Sequence, residues 1–243
     1  MTKYIYLIFL MMIFQPVLSQ NIDLGNKIVS EKKGLKIILP KIDSMVECYY
    51  EPVIFSNYNA LSPKNKSLEM LALYLNRKDL DKMISQNKVL EQDESFSISR
   101  GNTAVDRKYL ALLYKATVQK MSQYADSFWG NSSLKEIERN ADSLINGENT
   151  FNASGKFKLN TPVLVNNYKL NEDAYSISLL TLINFNSKES KISNYVYQVA
   201  NFIHIKNRIY YLYYTISYLD NFRMNTVNAR NDFQVYKFLN LNK

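Results

Sequence analysis

Twenty-five residues, Tyr195 to Leu219, limit the folds open to this chain more than any other stretch. Aromatic and β-branched side chains alternate with other residues on both sides of Lys206-Asn207, a pattern of two strands joined by a two-residue turn. Such a turn sets Ile205 opposite Arg208, and every later pair follows. One face then collects Tyr195, Tyr197, Val199, Ile203 and Ile205 with Tyr210, Leu212, Tyr214, Ile216 and Tyr218, and it belongs in a core. The other face carries Val196, Gln198, Ala200, Phe202 and His204 with Ile209, Tyr211, Tyr213, Thr215 and Ser217. On this second face Phe202 falls opposite Tyr211. The residues Phe202, His204, Tyr211 and Tyr213 are candidate ligand-binding residues, a stacking platform for a sugar ring or a partner's side chain. Helices lying across the face would bury it instead, because aromatic cross-strand pairs ordinarily stabilise sheets.

The rest of the chain supplies those helices. From Asp106, a candidate N-cap, Leu110, Leu113, Tyr114, Thr117, Met121, Tyr124, Ala125 and Phe128 recur at helical spacing until Gly130. Ser133-Leu134-Lys135-Glu136 is a capping box, and it opens a second stripe through Ile137, Ala141, Leu144 and Ile145 that ends at Asn146-Gly147. Strands are expected at Gly34–Pro40, Val46–Phe55, Val163–Leu170 and Tyr175–Phe185, with a weaker one at Phe151–Leu159. Leu68–Leu75 fits strand or helix, and the polar Arg77–Arg100 stretch reads as a helix followed by a loop. A final amphipathic segment runs from Asn225 to Leu239. The expected fold class is α+β: an antiparallel sheet with two central helices and a C-terminal helix packed on it. No repeat or linker divides residues 20–243, so one domain is expected there.

Residues 1–19 read as a cleaved signal peptide. Lys3 supplies the positive charge, Tyr4 to Phe14 the apolar segment, and Pro16-Val17-Leu18-Ser19 a cleavage site before Gln20. The apolar run is too short for a bilayer span, which takes about 20 residues. A periplasmic or secreted location follows as an expectation. Gln20 stands where a lipoprotein would need cysteine, and the lone Cys48 allows no intrachain disulfide.

The formal charge is +8, and Lys188 to Lys243 holds eight Lys/Arg against three Asp/Glu. For an exported chain this argues against nucleic acid and for contact with an anionic envelope surface, or simply for a solvated basic face. The oligomeric state stays open.

Chemical motifs are missing. The six glycines are too scattered for a dinucleotide fingerprint, a phosphate loop or a nucleophile elbow, so no cofactor is expected. One histidine and one cysteine exclude the usual zinc sets, and no metal or catalytic residue is assigned. Cys48 with His204 as nucleophile and base, or a carboxylate pair among Glu47, Glu51, Asp79, Asp81, Glu136 and Glu138, are the remaining catalytic arrangements.

In its order of elements the chain resembles the PsbP-like α+β sandwich domains of exported or lumenal proteins. The likeness is carried by the Gly34–Pro40 strand, the helical middle, the Tyr195–Leu219 hairpin and the Asn225–Leu239 helix. The resemblance implies a non-enzymatic binding or accessory module of the cell envelope or extracellular space, with an envelope protein or glycan as partner. The alternative is a hydrolase of envelope glycans or peptides acting through scattered acids.

Overall fold

A computed structural model describes residues 27–30, 36–61, 68–87, 93–123, 135, 138–139, 155–187, 191–218 and 220–243. Within them the chain is α+β, with an eight-stranded antiparallel sheet and four helices, one of them C-terminal. The strands are β1 (Lys27–Ser30), β2 (Lys36–Leu39), β3 (Met45–Glu47), β4 (Leu68–Asn76), β5 (Glu94–Ala104), β6 (Gly155–Leu159), β7 (Val163–Asn171), β8 (Ala174–Ser187), β9 (Lys191–Ile205) and β10 (Arg208–Ser217). The helices are α1 (Pro52–Leu61), α2 (Arg77–Gln86), α3 (Arg107–Gln123) and α4 (Asn221–Asn242).

The main sheet runs β3-β4-β5-β10-β9-β8-β6, with β7 also paired to β8. The hairpin register is the one that its turn demands. Ile205 lies opposite Arg208, and Lys206 and Asn207 both take positive φ, 49° and 61°, as a tight turn of matching twist requires. Tyr197, Val199, Ile203 and Ile205 are buried together with Tyr210, Leu212, Tyr214 and Ile216. They meet Val227, Val235, Phe238 and Leu239 of α4. The neighbouring strands extend this face with Ala72, Tyr74, Phe96 and Ile98.

The opposite face carries two clusters. Leu110 and Met121 of α3 pack on Ile177, Leu179, Ala200, Phe202 and Ile209. Ile54 of α1 and Leu80 and Met83 of α2 pack on Val46, Leu73 and Leu75. Leu73 pairs with Ser97, and Ser97 with Tyr213, so both clusters lie on one side of the sheet.

Several local expectations change. Val46–Phe55 is not one strand: β3 stops at Glu47, and Pro52 starts α1, because a first-turn position has no use for the N–H that proline lacks. Residues 77–100 hold α2 and then most of β5 rather than a loop. The second central helix, expected over 133–147, lies outside the described residues except for 135, 138 and 139, which are helical. Leu68–Leu75 resolves as strand β4.

Candidate functional site

On the α3 side of the sheet, β5 presents only small residues: Ser95, Ser97, Ser99 and Gly101. Their partners on β10 are large. Tyr211 lies opposite Ser99, and Tyr213 opposite Ser97. Near the end of this row the register slips. Tyr210 pairs with Arg100, but Arg208 pairs with Ala104, so Gly101, Asn102 and Thr103 bulge opposite Ile209. Bulges re-aim side chains and break pairing, and they cluster near binding sites.

A groove of about 390 Å³ opens at this bulge. Leu68, Val105, Tyr109, Leu113, Ile209 and Tyr211 form its apolar walls; Gly101, Asn102 and Thr103 complete it. Volume and lining fit those of small-ligand sites, roughly 300–1,000 Å³ and mainly apolar with a few placed polar groups. Gly101 places no side chain on the floor; a Cβ there would make ordinary contacts, 3.4 Å to Ile209 O and 3.8 Å to the Tyr211 ring.

Local hydrogen bonds hold the walls in place. Asp106 Oδ1 accepts from Tyr109 N–H at 3.0 Å, the N-cap that launches α3 across the sheet. Val105 N–H donates to Asn207 O at 2.9 Å, and Arg208 Nη1 donates to Asn102 O at 3.1 Å. Loop, bulge and hairpin turn are thereby tied together.

The four residues singled out in the sequence occupy different positions here. Tyr211 lines the groove. Phe202 is buried beside it, with ring centroids 5.6 Å apart in an edge contact. Tyr213 stacks on Tyr211 at 6.4 Å with the rings 7° from parallel, and is partly buried. His204 is partly buried, with Nε2 3.0 Å from Val105 O. The aromatic row continues under α3 through Tyr114 to Tyr175, whose centroids are 4.6 Å apart. Burial raises the Tyr211 hydroxyl above the ordinary tyrosine range, and the neighbouring Tyr109 adds to this. Both effects keep it a protonated donor at neutral pH.

Leu68, Gly101, Asn102, Thr103, Tyr109 and Leu113 were not anticipated. The signal was available in Ser95-Phe96-Ser97-Ile98-Ser99-Arg100-Gly101, a strict alternation ending in glycine.

Cys48 and His204 are not brought together among the described residues. Cys48 sits in the α1–α2 cluster with its thiol directed to Leu73 O at 3.4 Å, whereas His204 contacts the loop before α3. Glu47 accepts from Tyr49 N–H, Glu138 accepts from Leu159 N–H, Glu136 lies outside the described residues, and none of the described residues that line the groove is a carboxylate.

No protein-family model and no curated protein sequence matches the chain. Among solved structures it is similar to the Ran-binding protein Mog1p of Saccharomyces cerevisiae, at 10% identity over 90% of this chain and 92% of that one, with a TM-score of 0.33. It is also similar to a point mutant of protein Mog1, at 11% identity over 90% and 93%, again with a TM-score of 0.33. Both matches are Mog1 proteins and nothing among them points to a PsbP-like domain, so that family expectation is withdrawn. Within the expected Gly34–Pro40 strand, Lys36–Leu39 form β2, which among the described strands pairs with β1 in a two-stranded sheet apart from the main one. The envelope or extracellular module, its hydrolase alternative, the envelope protein or glycan partner and the anionic envelope contact are withdrawn with the family expectation. So is the periplasmic or secreted location: the leader at residues 1–19 lies outside the described residues, and the matches, to a Ran-binding protein, give it no support. A TM-score of 0.33 assigns this chain no partner of its own.

Proposed function

We propose that the chain is a ligand-binding domain whose groove at the β5 bulge takes a small amphipathic molecule. The flat apolar part of the ligand lies between Tyr109 and Tyr211, and its polar end meets Asn102 and Thr103. Phe202, Tyr213 and His204 act from behind: the first two fix the Tyr211 ring, and His204 holds the loop that carries Val105. The observation that carries this reading is the groove itself, about 390 Å³ with apolar walls and polar groups gathered on the bulge. Its titratable lining residues are the two tyrosines, which suit binding better than acid–base chemistry near neutral pH.

The test is a panel of planar amphipathic compounds, followed by chemical-shift changes of the groove residues. Tyr211→Ala removes the stacking ring, and Gly101→Leu fills the floor from a strand position with ordinary φ. Both should abolish saturable shifts while far-UV circular dichroism stays unchanged. A folded Gly101→Leu protein that still binds panel members like the wild type would show that the groove is not the site.

A further inference from the structure

The C-terminal helix α4 spends one face on the core and leaves an unusual opposite face. Val227, Asn231, Gln234, Val235, Phe238 and Leu239 are buried. Facing away from them, Phe222, Thr226, Ala229, Phe233, Tyr236 and Asn240 are all exposed. They follow one another at intervals of four, three, four, three and four residues, the spacing of a seam that packs against another helix. The large members of the seam stand open. Phe222 is 81% exposed, Phe233 59% and Tyr236 42%. At 1.5 Å per residue the two phenylalanines are about 16 Å apart along the axis. Small Thr226 and Ala229 lie between them, leaving a saddle for a partner's side chains.

Charge is sorted across the seam. Arg223, Arg230 and Lys237 recur every seventh residue on one flank, while the other flank carries Asn225 and Asp232. The cationic flank adjoins Lys41, whose carbonyl accepts from Lys237 Nζ at 2.6 Å. Glu94 pairs with Arg230 at 2.6 Å, and Asp43 lies on the same edge. With Asp220 capping the helix beside Arg223, the four cations stand against three acids, and this border stays net positive.

We infer that the outer face of α4 is a docking surface for an amphipathic α-helix of a partner protein, one that carries acidic residues along one flank of its apolar seam. Phe222 and Phe233 supply the anchors, and the cationic flank sets orientation and selects the acidic partner. A second copy of this chain paired antiparallel fits less well, since that arrangement sets cationic flank against cationic flank, and sedimentation tests for any self-pairing. This surface is independent of the groove under α3.

The test uses the full chain and two synthetic 21-residue helices with leucine at the four–three spacing, one flanked by glutamate and the other by lysine. Binding is read by fluorescence anisotropy. The glutamate helix should bind at least about tenfold more tightly than the lysine helix, a gap of about 1.4 kcal/mol that narrows at high salt. Phe222→Ser with Phe233→Ser should weaken it at least tenfold. Arg223→Glu with Lys237→Glu should reverse the preference, and this second variant decides the matter if the first does not fold. Tyr211→Ala should bind the glutamate helix like the wild type, which separates this surface from the groove. Equal binding of the two helices overturns the inference, as does absence of binding. So does sedimentation showing dimers that Phe222→Ser with Phe233→Ser dissolves, or capture on anionic vesicles that the same variant abolishes.

Discussion

Asn201 of β9 and Asn231 of α4 clasp each other inside the core, each side-chain amide donating to the other's Oδ1, at 2.7 and 3.0 Å. Asn201 also donates to Leu212 O at 2.9 Å and accepts from Ser176 Oγ at 2.6 Å. Every partner is fully or nearly fully buried. Asn231→Ala should therefore destabilise the fold by about 1–3 kcal/mol, because it strands buried polar atoms. Asn201→Leu with Asn231→Leu should recover part of that loss by removing both partners. Urea unfolding of the three proteins distinguishes the costs.

Arg230 fastens the same helix at its flank. Its guanidinium donates to Glu94 at 2.6 Å and to Asp43 O at 2.7 Å, and lies 5.8 Å from the Tyr214 ring centroid. Glu94 also accepts from the Tyr214 hydroxyl. Arg230→Ala leaves a mostly buried carboxylate without its cation and should lower stability by about 1–3 kcal/mol. Arg230→Lys should restore less than half, since an ammonium cannot reach Glu94 and Asp43 O in the same fork. Thermal unfolding at low and high salt reads both effects.

Cys48 should be inert in the native protein. Burial, with Glu47 adding its charge, pushes the thiol up to about 12. At pH 8 the thiolate that would attack a disulfide reagent is scarce, and the sulfur is enclosed. Ellman's reagent should label Cys48 only at the rate of unfolding, and about one equivalent should appear in denaturant. Rapid labelling of folded protein would contradict the burial.

Tyrosine ionisation should set the alkaline limit of stability. Tyr49, Tyr74, Tyr114, Tyr168, Tyr211 and Tyr213 are all raised above the ordinary tyrosine value, burial being the largest cause in each. A group raised in the folded state binds its proton more firmly there than in the unfolded chain. Its contribution is complete below the unfolded value, about 10, and is lost as pH climbs beyond it. Stability should thus fall steeply above pH 10. Absorbance at 295 nm should show the buried phenols ionising together with loss of the fold. Tyr213→Phe should move that loss to higher pH.

Alternation made the hairpin legible. Because side chains change face at every residue, the turn at Lys206-Asn207 was enough to fix which tyrosines enter the core. Asp106 likewise announced α3. What failed was composition-led: Arg77–Arg100 looked too polar for a sheet, yet Ser97 and Ser99 are buried beside Tyr213 and Tyr211 in a central strand. Asn201 escaped notice for the same reason, an amide in a row of apolar residues whose partner Asn231 lies thirty residues on. The groove depends on a register slip between β5 and β10, which joins segments far apart in the chain. No local window holds that information.

The place of β10 between β5 and β9 has a kinetic consequence. Until this strand is inserted, β3–β5 and β6–β9 are separate sheets with no common member. Closing them requires pairing across a long stretch of chain, so refolding should be slow relative to a protein built from local contacts. Meanwhile β5 and β9 each present an unpaired border to other molecules. Injury to the middle strand should therefore appear first as poor refolding yield at high protein concentration, before the finished sheet loses measurable stability.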